Sequence, residues 1–579
     1  MSSPLKGIVL SVALTLALPS GELLADDYAD GWDALDQNDC ATAIRLFTQA
    51  IVKKPNNAKA FLARGFAYKR IGEFDKALAD IDGAIRLDPN SAMAFLARGL
   101  LYKRIGEFDK ALADYDEAIW LDPKNSGAYA GRGFVWDAKG NLDKALADFG
   151  EAIRLDPNLG PIFADRFDEA IRLDPKNWEA YIGRGRAWDA KGKYDKALAD
   201  FDEAIRLEPN SARAHAARGY TWHGKGEIDK ALADYDEAIR LDPKDSEAYI
   251  GRGRAWDAKG EYDKALADYD EAIRLDPKNS EAYIGRGNTW DAKGEWDKAL
   301  AEFDEAIRLD PSNSAAYIGR GRVWFDKDEF DKALADYDEA IRLDPKNSAT
   351  YGSRAATWGN KGDFDKAIAD FDEAIRLDPK NWEAYIGRGH AWFAESEFDK
   401  ALADYDEAIR LNPKNWEAYA GRGNAWWFKS EFDKALADYE EAIRLNPDNS
   451  VAYIGRGSAL NSKGEYEKAL ADFDEAIRLD SESSSALNNR ALLRATCPDA
   501  KFRDGAKAIE DATKGCELTD WKDPYCLDSL AAAYAEAGQF DKAVEWQEKA
   551  VELAPDDDDF ETRLKLYQEG KPYREEPKK

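Results

Sequence analysis

The chain has 579 residues, of which 44% are hydrophobic, 34% are charged and 12% are aromatic, and its formal net charge is −31. This aromatic content, which includes 18 Trp, excludes a disordered acidic chain. A strongly acidic surface repels phosphate backbones, so the composition argues against nucleic acid as a partner.

Residues 1–25 differ from the rest of the chain. Lys6 precedes the apolar run Gly7–Leu18, which ends at Pro19, and a small residue follows at Ala25. This order is typical of a secretory signal peptide, and the run is short for a membrane span of about 20 residues. We therefore predict a cleaved signal peptide, export to the periplasm, the cell surface or the medium, and no membrane span after cleavage.

From there onward the chain consists of repeats of 34 residues, for which Ser246–Asn279 serves as the type repeat. Tyr249, Gly253 and Trp256 are spaced by four and three residues, which places them on one face of a helix. Gly260 offers a left-handed end to this helix. A second apolar stripe follows, and an Asp-Pro step ends it. Each repeat is therefore predicted to be two antiparallel helices, which bury their apolar faces by stacking on neighbouring pairs.

The spacing of small, aromatic and proline residues resembles the tetratricopeptide repeat, in its exported bacterial type. The resemblance rests on Tyr249, Gly253, Trp256, Ala265, Tyr269, Ala272 and Pro277. It covers about nine-tenths of the chain. It implies an all-α fold, a right-handed α-solenoid (superhelix) of stacked antiparallel helix pairs, with about 15 full repeats and one truncated repeat. It also implies a non-enzymatic protein-interaction scaffold, whose first helices line a concave groove.

The repeats divide the chain into blocks, and one repeat lacks its first helix. In the truncated repeat Gly160 and Pro161 replace that helix, so two second-type helices follow each other. We expect a discontinuity in the stacking near residues 156–177, either as a tolerated deletion or as a bend between two blocks. The predicted blocks are a signal peptide (1–25), repeats one to four (26–157), the truncated repeat (158–177), repeats five to thirteen (178–483), two atypical repeats (484–555), and a capping helix with a polar tail (556–579).

Residues for catalysis or metal binding are scarce. The chain has three His and four Cys, which are scattered, and it has no glycine-rich phosphate loop. Its carboxylates recur with the repeat, so none stands out as an acid/base pair. The sequence thus predicts no catalytic residue, no metal and no cofactor. Cys516 and Cys526 flank a short connection and form a possible disulfide, with buried free thiols as the alternative.

Comparing the repeats with each other separates scaffold from candidate site. Two charged positions, represented by Arg252 and Asp268, recur in nearly every repeat, and we interpret them as an ion pair between the two helices. Along the inner face implied by the resemblance, three zones vary. The first zone is basic: Phe66, Lys69, Arg70, Leu100, Lys103 and Arg104. The second alternates Arg186, Arg254 and Arg322 with Asp189, Asp257 and Asp291. The third is largely aromatic: Phe325, His390, Phe393, Asn424, Trp427 and Phe428.

These zones lead to three hypotheses for the function. The first is a scaffold that binds a protein or peptide segment in the groove, with aromatic side chains as anchors. The second is binding of an envelope polysaccharide, because aromatic rings also stack on sugars. The third is a structural spacer, for which the second zone would be inherited scaffold. The sequence leaves the partner and the oligomeric state open.

Overall fold

The computed structural model describes residues 26–575, and this range is largely helical, with 32 α-helices, two short 3-10 helices and no strand. The predicted signal peptide and the last four residues lie outside the described range. The prediction of an all-α fold built from consecutive packed helix pairs is confirmed. No helix between residues 26 and 575 combines the length and apolarity that a membrane crossing requires.

The chain forms two compact units, an N-terminal unit that ends at Val323 and a C-terminal unit that begins at Trp324. The helices before the truncated repeat are α1 (Asp26–Asp36), α2 (Cys40–Lys53), α3 (Ala58–Arg70), α4 (Phe74–Leu87), α5 (Ala92–Ile105), α6 (Phe108–Leu121), α7 (Ser126–Ala138) and α8 (Leu142–Leu155). The remaining helices of the N-terminal unit are α9 (Gly160–Leu173), α10 (Trp178–Asp189), α11 (Tyr194–Leu207), α12 (Ala212–Gly224), α13 (Ile228–Leu241), α14 (Ser246–Ala258), α15 (Tyr262–Leu275), α16 (Ser280–Ala292) and α17 (Trp296–Leu309).

Helix α18 (Ser314–Asp326) contains the boundary between the two units. The C-terminal unit continues with α19 (Phe330–Leu343), α20 (Ser348–Asn360), α21 (Phe364–Leu377), α22 (Trp382–Ala394), α23 (Phe398–Leu411), α24 (Trp416–Phe428), α25 (Phe432–Leu445), α26 (Ser450–Ser462) and α27 (Tyr466–Leu479). It ends with α28 (Ser484–Thr496), α29 (Gly505–Leu518), α30 (Pro524–Glu536), α31 (Phe540–Leu553) and α32 (Asp558–Gln568).

The ends of the helices follow from local sequence. In the type repeat, the Asp245 carboxylate accepts a hydrogen bond from the Glu247 amide at 3.0 Å and so caps the start of α14. Gly260 ends the first helix with φ of 76°. The Glu261 amide then donates to the Trp256 carbonyl at 3.0 Å, which satisfies the end of the helix before α15 begins.

Aromatic rings from the second helices hold neighbouring pairs together. The fully buried ring of Tyr269 lies against Gly253 of its own pair and Gly285 of the next. A Cβ atom would lie 2.9 Å from this ring at Gly253 and 2.4 Å at Gly285, so only glycine allows this approach. First helices of successive pairs also contact each other directly, as α14 does α16 and α22 does α24. Within each unit, first helices that contact in this way therefore form a row.

The predicted ion pair between the two helices of a repeat is confirmed. Arg252 donates through Nε and Nη2 to both oxygens of Asp268, at 2.8 and 2.7 Å. Its Nη1 also donates to Asp236 on the preceding second helix at 2.7 Å. Each such arginine therefore joins three helices, which explains why the residue recurs as scaffold.

The truncated repeat remains packed. Helices α8 and α9 both contact α10, and the ring of Phe163 in α9 stacks on that of Phe149 in α8 at 4.4 Å. Gly160 permits this arrangement, because a Cβ atom there would lie 3.0 Å from the Cα of Ala187. Two second-type helices thus adjoin one first helix, and the stacking changes phase at this point. A role for this change as a functional bend stays a prediction.

The C-terminal end is closed by α32, whose Phe560 and Tyr567 are buried against the last pairs. Cys516 and Cys526 lie together in this core, and the structure holds both as reduced thiols. Burial and neighbouring carboxylates raise the pKa of each thiol to about 12, so neither is a reactive thiolate at neutral pH. A disulfide between them stays a prediction.

Candidate functional site

Two adjacent positions near the end of the first helix vary strongly among the repeats. In the type repeat they are Asp257 and Ala258. The Asp257 carboxylate accepts hydrogen bonds from Tyr269 of its own pair and Thr289 of the next first helix, both at 2.9 Å. Asp189 accepts in the same way from Thr221 at 2.6 Å. An aspartate at this position therefore fastens one repeat to the next.

The arginines of the second zone are also satisfied by the scaffold. Arg254 pairs with Glu281 at 2.6 Å, and Arg322 pairs with Asp291 at 2.8 Å. Arg186 donates to the Gly150 carbonyl in α8 at 3.1 Å, where the absence of a side chain exposes the backbone. Because carboxylates match the charges of Arg254 and Arg322, and a backbone carbonyl accepts from Arg186, the zone offers little to a partner.

At the positions that correspond to Asp257 and Ala258, helices α3 and α5 carry basic residues. We call these residues, Lys69, Arg70, Lys103 and Arg104, the basic cluster. Arg70 donates to the Leu35 carbonyl, and the Lys103 ammonium lies 4.9 Å from the centre of the Phe134 ring. In the part of the chain that the structure describes, no carboxylate pairs with any of the four. The basic cluster is thus uncompensated positive charge in an acidic protein.

The pKa values of the two lysines in the basic cluster reflect this excess of positive charge. Partial burial, together with the positive charges of Arg104 and Arg70, lowers the pKa of Lys69 to about 8. Burial and the charge of Lys69 lower the pKa of Lys103 to about 8. A bound anion would relieve both effects.

The two apolar members of the predicted basic zone have packing roles. Phe66 contacts Trp32 with ring centres 6.4 Å apart, and Leu100 packs into the core between α5 and α6. Of the six residues predicted there, the structure brings the four bases together as a polar surface and assigns the other two to packing.

In the C-terminal unit, the corresponding positions of α22 and α24 carry aromatic residues. Phe393, Trp427 and Phe428 form with Phe398 what we call the aromatic cluster. Phe428 lies 5.3 Å from Phe393 edge-on, 5.3 Å from Phe398 in a stacked arrangement and 5.0 Å from Trp427. Its side chain remains 55% exposed. An aromatic ring that is both ordered by neighbours and open to solvent is suited to anchor a ligand.

Three other predicted residues of the third zone lie apart from the aromatic cluster. The ring of Phe325 contacts that of Phe330 at 5.8 Å. His390 lies edge-on to the buried Tyr405 at 5.6 Å. Asn424 accepts a hydrogen bond from the Tyr439 hydroxyl at 2.6 Å. These three residues lie on first helices, but each of these contacts is with a tyrosine or phenylalanine on the second helix of the same pair.

Comparison with known protein families agrees with this architecture. A tetratricopeptide repeat model matches residues 28–92, 164–212, 189–246, 224–280, 285–348, 359–415, 393–427 and 421–484, and two related models match residues 92–125 and 524–557. The chain belongs to the tetratricopeptide repeat family. Such repeats serve in general as protein-interaction scaffolds without enzymatic activity.

No curated protein sequence matches the chain. Solved structures similar to it include the APC/C hetero-tetramer Cut9–Hcn1, with a TM-score of 0.42, 16% identity and coverage of 83% of this chain and 97% of that one. Yeast Tom70 has a TM-score of 0.38 and 20% identity, covering 74% of this chain and 98% of that one. A tetratricopeptide repeat protein from Parabacteroides merdae has a TM-score of 0.36 and 21% identity, covering 43% and 98%. None of them bears on what this chain binds.

The repeats with Phe325, Phe393 or Trp427 at the position of Asp257 share a second departure. In most other repeats the turn between the helices ends in glycine, such as Gly260 with φ of 76°, although the first repeat has Asn38 with φ of 63°. After Phe325, Phe393 and Trp427 the turn residue is Asp328, Ser396 or Ser430, with φ of 58°, 60° and 61°. A side chain in this left-handed conformation costs about 1 kcal/mol. These three repeats thus combine a strained turn with an aromatic residue near the end of the first helix.

The sequence did not point to Phe398, because most repeats have an apolar residue where their second helix begins. In the structure its ring stacks on Phe428 and completes the aromatic cluster. The only signal available was its proximity along the chain to Phe393. Over residues 26–575, no group of three His, Cys, Asp or Glu side chains is arranged to hold a metal ion.

Proposed function

We propose that this protein is a non-enzymatic interaction scaffold, which binds an extended or helical segment of a partner protein along the inner face of its first helices. The aromatic cluster supplies the main anchor. The observation that carries the proposal is the exposed, ring-packed Phe428, at a position where the type repeat has alanine. A purely structural spacer would not require an exposed aromatic residue in place of this alanine.

Two further observations support the aromatic cluster as a binding surface. The Trp427 indole N–H has no hydrogen-bond partner among the described residues, although it is buried. Phe393 and Trp427 also replace the aspartate that fastens neighbouring repeats at Asp257. The C-terminal unit thus lacks this hydrogen bond at the point where it exposes aromatic surface.

The experiment converts the aromatic cluster to the residues of the type repeat. The variant Phe393→Asp/Trp427→Asp/Phe428→Ala introduces only side chains that other repeats carry at these positions, so we expect it to fold. The full chain and this variant are immobilised and incubated with an envelope extract, and each captured protein is identified and retested in purified form by calorimetry. Circular dichroism of both chains checks that helicity is unchanged.

A purified protein that binds the wild-type chain and loses affinity for the variant supports the proposal. A glycan lost in the same way would replace it with polysaccharide binding. Equal capture by the two chains would contradict the role of the aromatic cluster and favour a spacer.

We also propose that the basic cluster contributes a second contact, to an acidic segment. The support is that Lys69, Lys103 and Arg104 have no carboxylate partner in the described range, whereas Arg254 and Arg322 do. A chain with net charge −31 repels acidic ligands elsewhere, so attraction would be confined to this surface.

Export of the protein is likewise a proposal, supported by the composition of residues 1–25. The test is cell fractionation with sequencing of the mature N-terminus. An N-terminus at Asp26 in the exported fraction is the expected result, and an intact N-terminus in the cytoplasm would contradict it.

A further inference from the structure

A row of ion pairs connects successive repeats at the turn between their helices. The lysine two residues after Asp257, Lys259, donates to Asp229 at the start of the preceding second helix at 2.6 Å. Other repeats have the same pair, and we call the row the lysine–aspartate ladder. Its members include Lys139–Asp109, Lys225–Asp195, Lys259–Asp229, Lys293–Asp263, Lys361–Asp331, Lys429–Asp399 and Lys463–Asp433.

One position of the ladder has the opposite charge. Glu395 lies 34 residues after Lys361 and 34 before Lys429, so it stands where the ladder has a lysine. The aspartate at the matching position is Asp365, and both side chains are exposed. Within residues 26–575 neither carboxylate has an ion-pair partner. The two negative charges of Asp365 and Glu395 therefore stand where the ladder has an ion pair.

This reversal adjoins the aromatic cluster. Glu395 follows Phe393 by two residues and precedes Phe398 by three, and the rings of those two residues contact each other at 5.5 Å. The turn between them contains Ser396, with its left-handed φ of 60°. An apolar surface and an unneutralised negative charge thus lie on the same turn.

We propose that the aromatic cluster binds a basic, apolar protein segment, in which a lysine or arginine adjoins a large apolar side chain. The basic group takes the place of the missing lysine ammonium beside Asp365 and Glu395. The apolar side chain lies on Phe393, Phe398 and Phe428. This inference rests on the proposed function and specifies the chemistry of the partner.

Charge complementarity selects this occupant. An acidic segment would meet two carboxylates and would be repelled, and a neutral segment would leave both as they are. In the ladder pairs named above, the aspartate already has a lysine within 2.9 Å, so a cation gains little there. Asp365 and Glu395 therefore offer more to a cation than these pairs do.

The test uses the full chain and four short peptides of equal length, with binding measured by fluorescence anisotropy. Their compositions are Lys with Leu, Gln with Leu, Glu with Leu, and Lys with Ser. Glu395→Lys restores the residue that nine repeats carry at this position, so we expect it to fold. Glu482→Lys is the matched control, because it makes the same charge change at an exposed position where Lys278 and Lys380 stand in other repeats. Phe428→Ala reports on the aromatic cluster itself.

We expect the Lys/Leu peptide to bind best, and Glu395→Lys to weaken it about tenfold or more through like-charge repulsion, with Glu482→Lys close to wild type. Added salt should weaken this binding. Equal binding of the Lys/Leu and Gln/Leu peptides, weakened by Phe428→Ala and unaffected by Glu395→Lys, would overturn the inference while leaving the proposed function in place. If no peptide binds, or if Phe428→Ala has no effect, both are overturned.

Discussion

Apart from Phe398, the aromatic cluster of the C-terminal unit occupies the same two positions of the repeat as the basic cluster of the N-terminal unit. In the type repeat these positions are Asp257 and Ala258, in α3 they are Lys69 and Arg70, and in α24 they are Trp427 and Phe428. The surrounding scaffold is the same in each case. The bidentate pair Arg64–Asp80 beside the basic cluster matches Arg422–Asp438 beside the aromatic cluster.

The recurring contacts of the repeat are largely separate from the two variable positions. The bidentate arginines contact neither position, and the ring of Tyr269 packs against glycines of its own pair and of the next pair. Asp257 accepts two hydrogen bonds, one from the Tyr269 hydroxyl and one from Thr289 of the next repeat. Replacing this aspartate with Lys or Trp forfeits these two hydrogen bonds but leaves the arginine pairs and the ring packing in place, so these positions can vary without loss of the fold.

The largest expected effect comes from returning the aromatic cluster to the type sequence. We expect Phe393→Asp/Trp427→Asp/Phe428→Ala to weaken binding of the partner segment about a hundredfold, because exposed aromatic anchors dominate such interfaces. Binding of an acidic peptide at the basic cluster should be unchanged. Calorimetry with the two ligands checks both statements, and a loss of both together would show that the clusters are not independent.

The converse change addresses the basic cluster. Lys69→Asp/Lys103→Asp also introduces the type residue, and we expect it to weaken binding of a polyglutamate peptide by about tenfold or more at low salt. The aromatic ligand should bind as before. Arg70 is left in place because it donates to the Leu35 carbonyl. Anisotropy measures the effect, and unchanged polyglutamate affinity would contradict the role of these lysines.

The pH dependence of the same binding is a smaller effect with a definite sign. The fold lowers the lysine pKa of Lys69 and Lys103 to about 8, so both lose charge as the pH rises through that value. Polyglutamate stays ionised above pH 7. Binding should therefore weaken between pH 7 and 9 in the wild-type chain, and the Lys69→Asp/Lys103→Asp variant should show no such change. Equal pH profiles for the two chains would contradict the assignment.

The same lowered pKa values affect stability. Because the folded chain disfavours the charged lysines, Lys69 and Lys103 destabilise it below pH 8, and this effect disappears as the pH rises from 8 toward 10.5. An anionic ligand would remove part of the same effect at neutral pH.

Most of the fold could be predicted from the sequence, because glycine and proline mark the helix ends and the repeat displays its own periodicity. The ion pair of Arg252 and Asp268 was predictable for the same reason. It was harder to predict from the sequence which residues belong to the basic cluster and the aromatic cluster. Phe66 and Leu100 share the helix face of the bases but pack into the core, and no spacing rule separates those roles.

The spacing of residues within a repeat does not predict contacts between side chains of different repeats. Phe398 stands where most repeats have an apolar residue at a helix start, and only the structure shows that its ring completes the aromatic cluster. The lysine–aspartate ladder joins residues 30 positions apart on polar faces, where charged residues are expected anyway. Only the geometry shows that Lys259 and Asp229 meet, and only then does Glu395 stand out as an exception.

The smallest expected effect tests whether the strained turns belong to the aromatic cluster. Ser430 holds φ of 61°, where most repeats have glycine. Ser430→Gly should stabilise this turn by about 1 kcal/mol, since glycine adopts the conformation without steric cost. Amide hydrogen exchange of α24 and α25 measures this, because local opening reports stability in a repeat array better than global unfolding does. Gly464→Ser, in the next repeat and with φ of 78°, is the matched reverse change and should destabilise its turn by a similar amount. If both changes leave exchange unaltered, the serine turns store no strain, and their occurrence beside the aromatic residues has no energetic meaning.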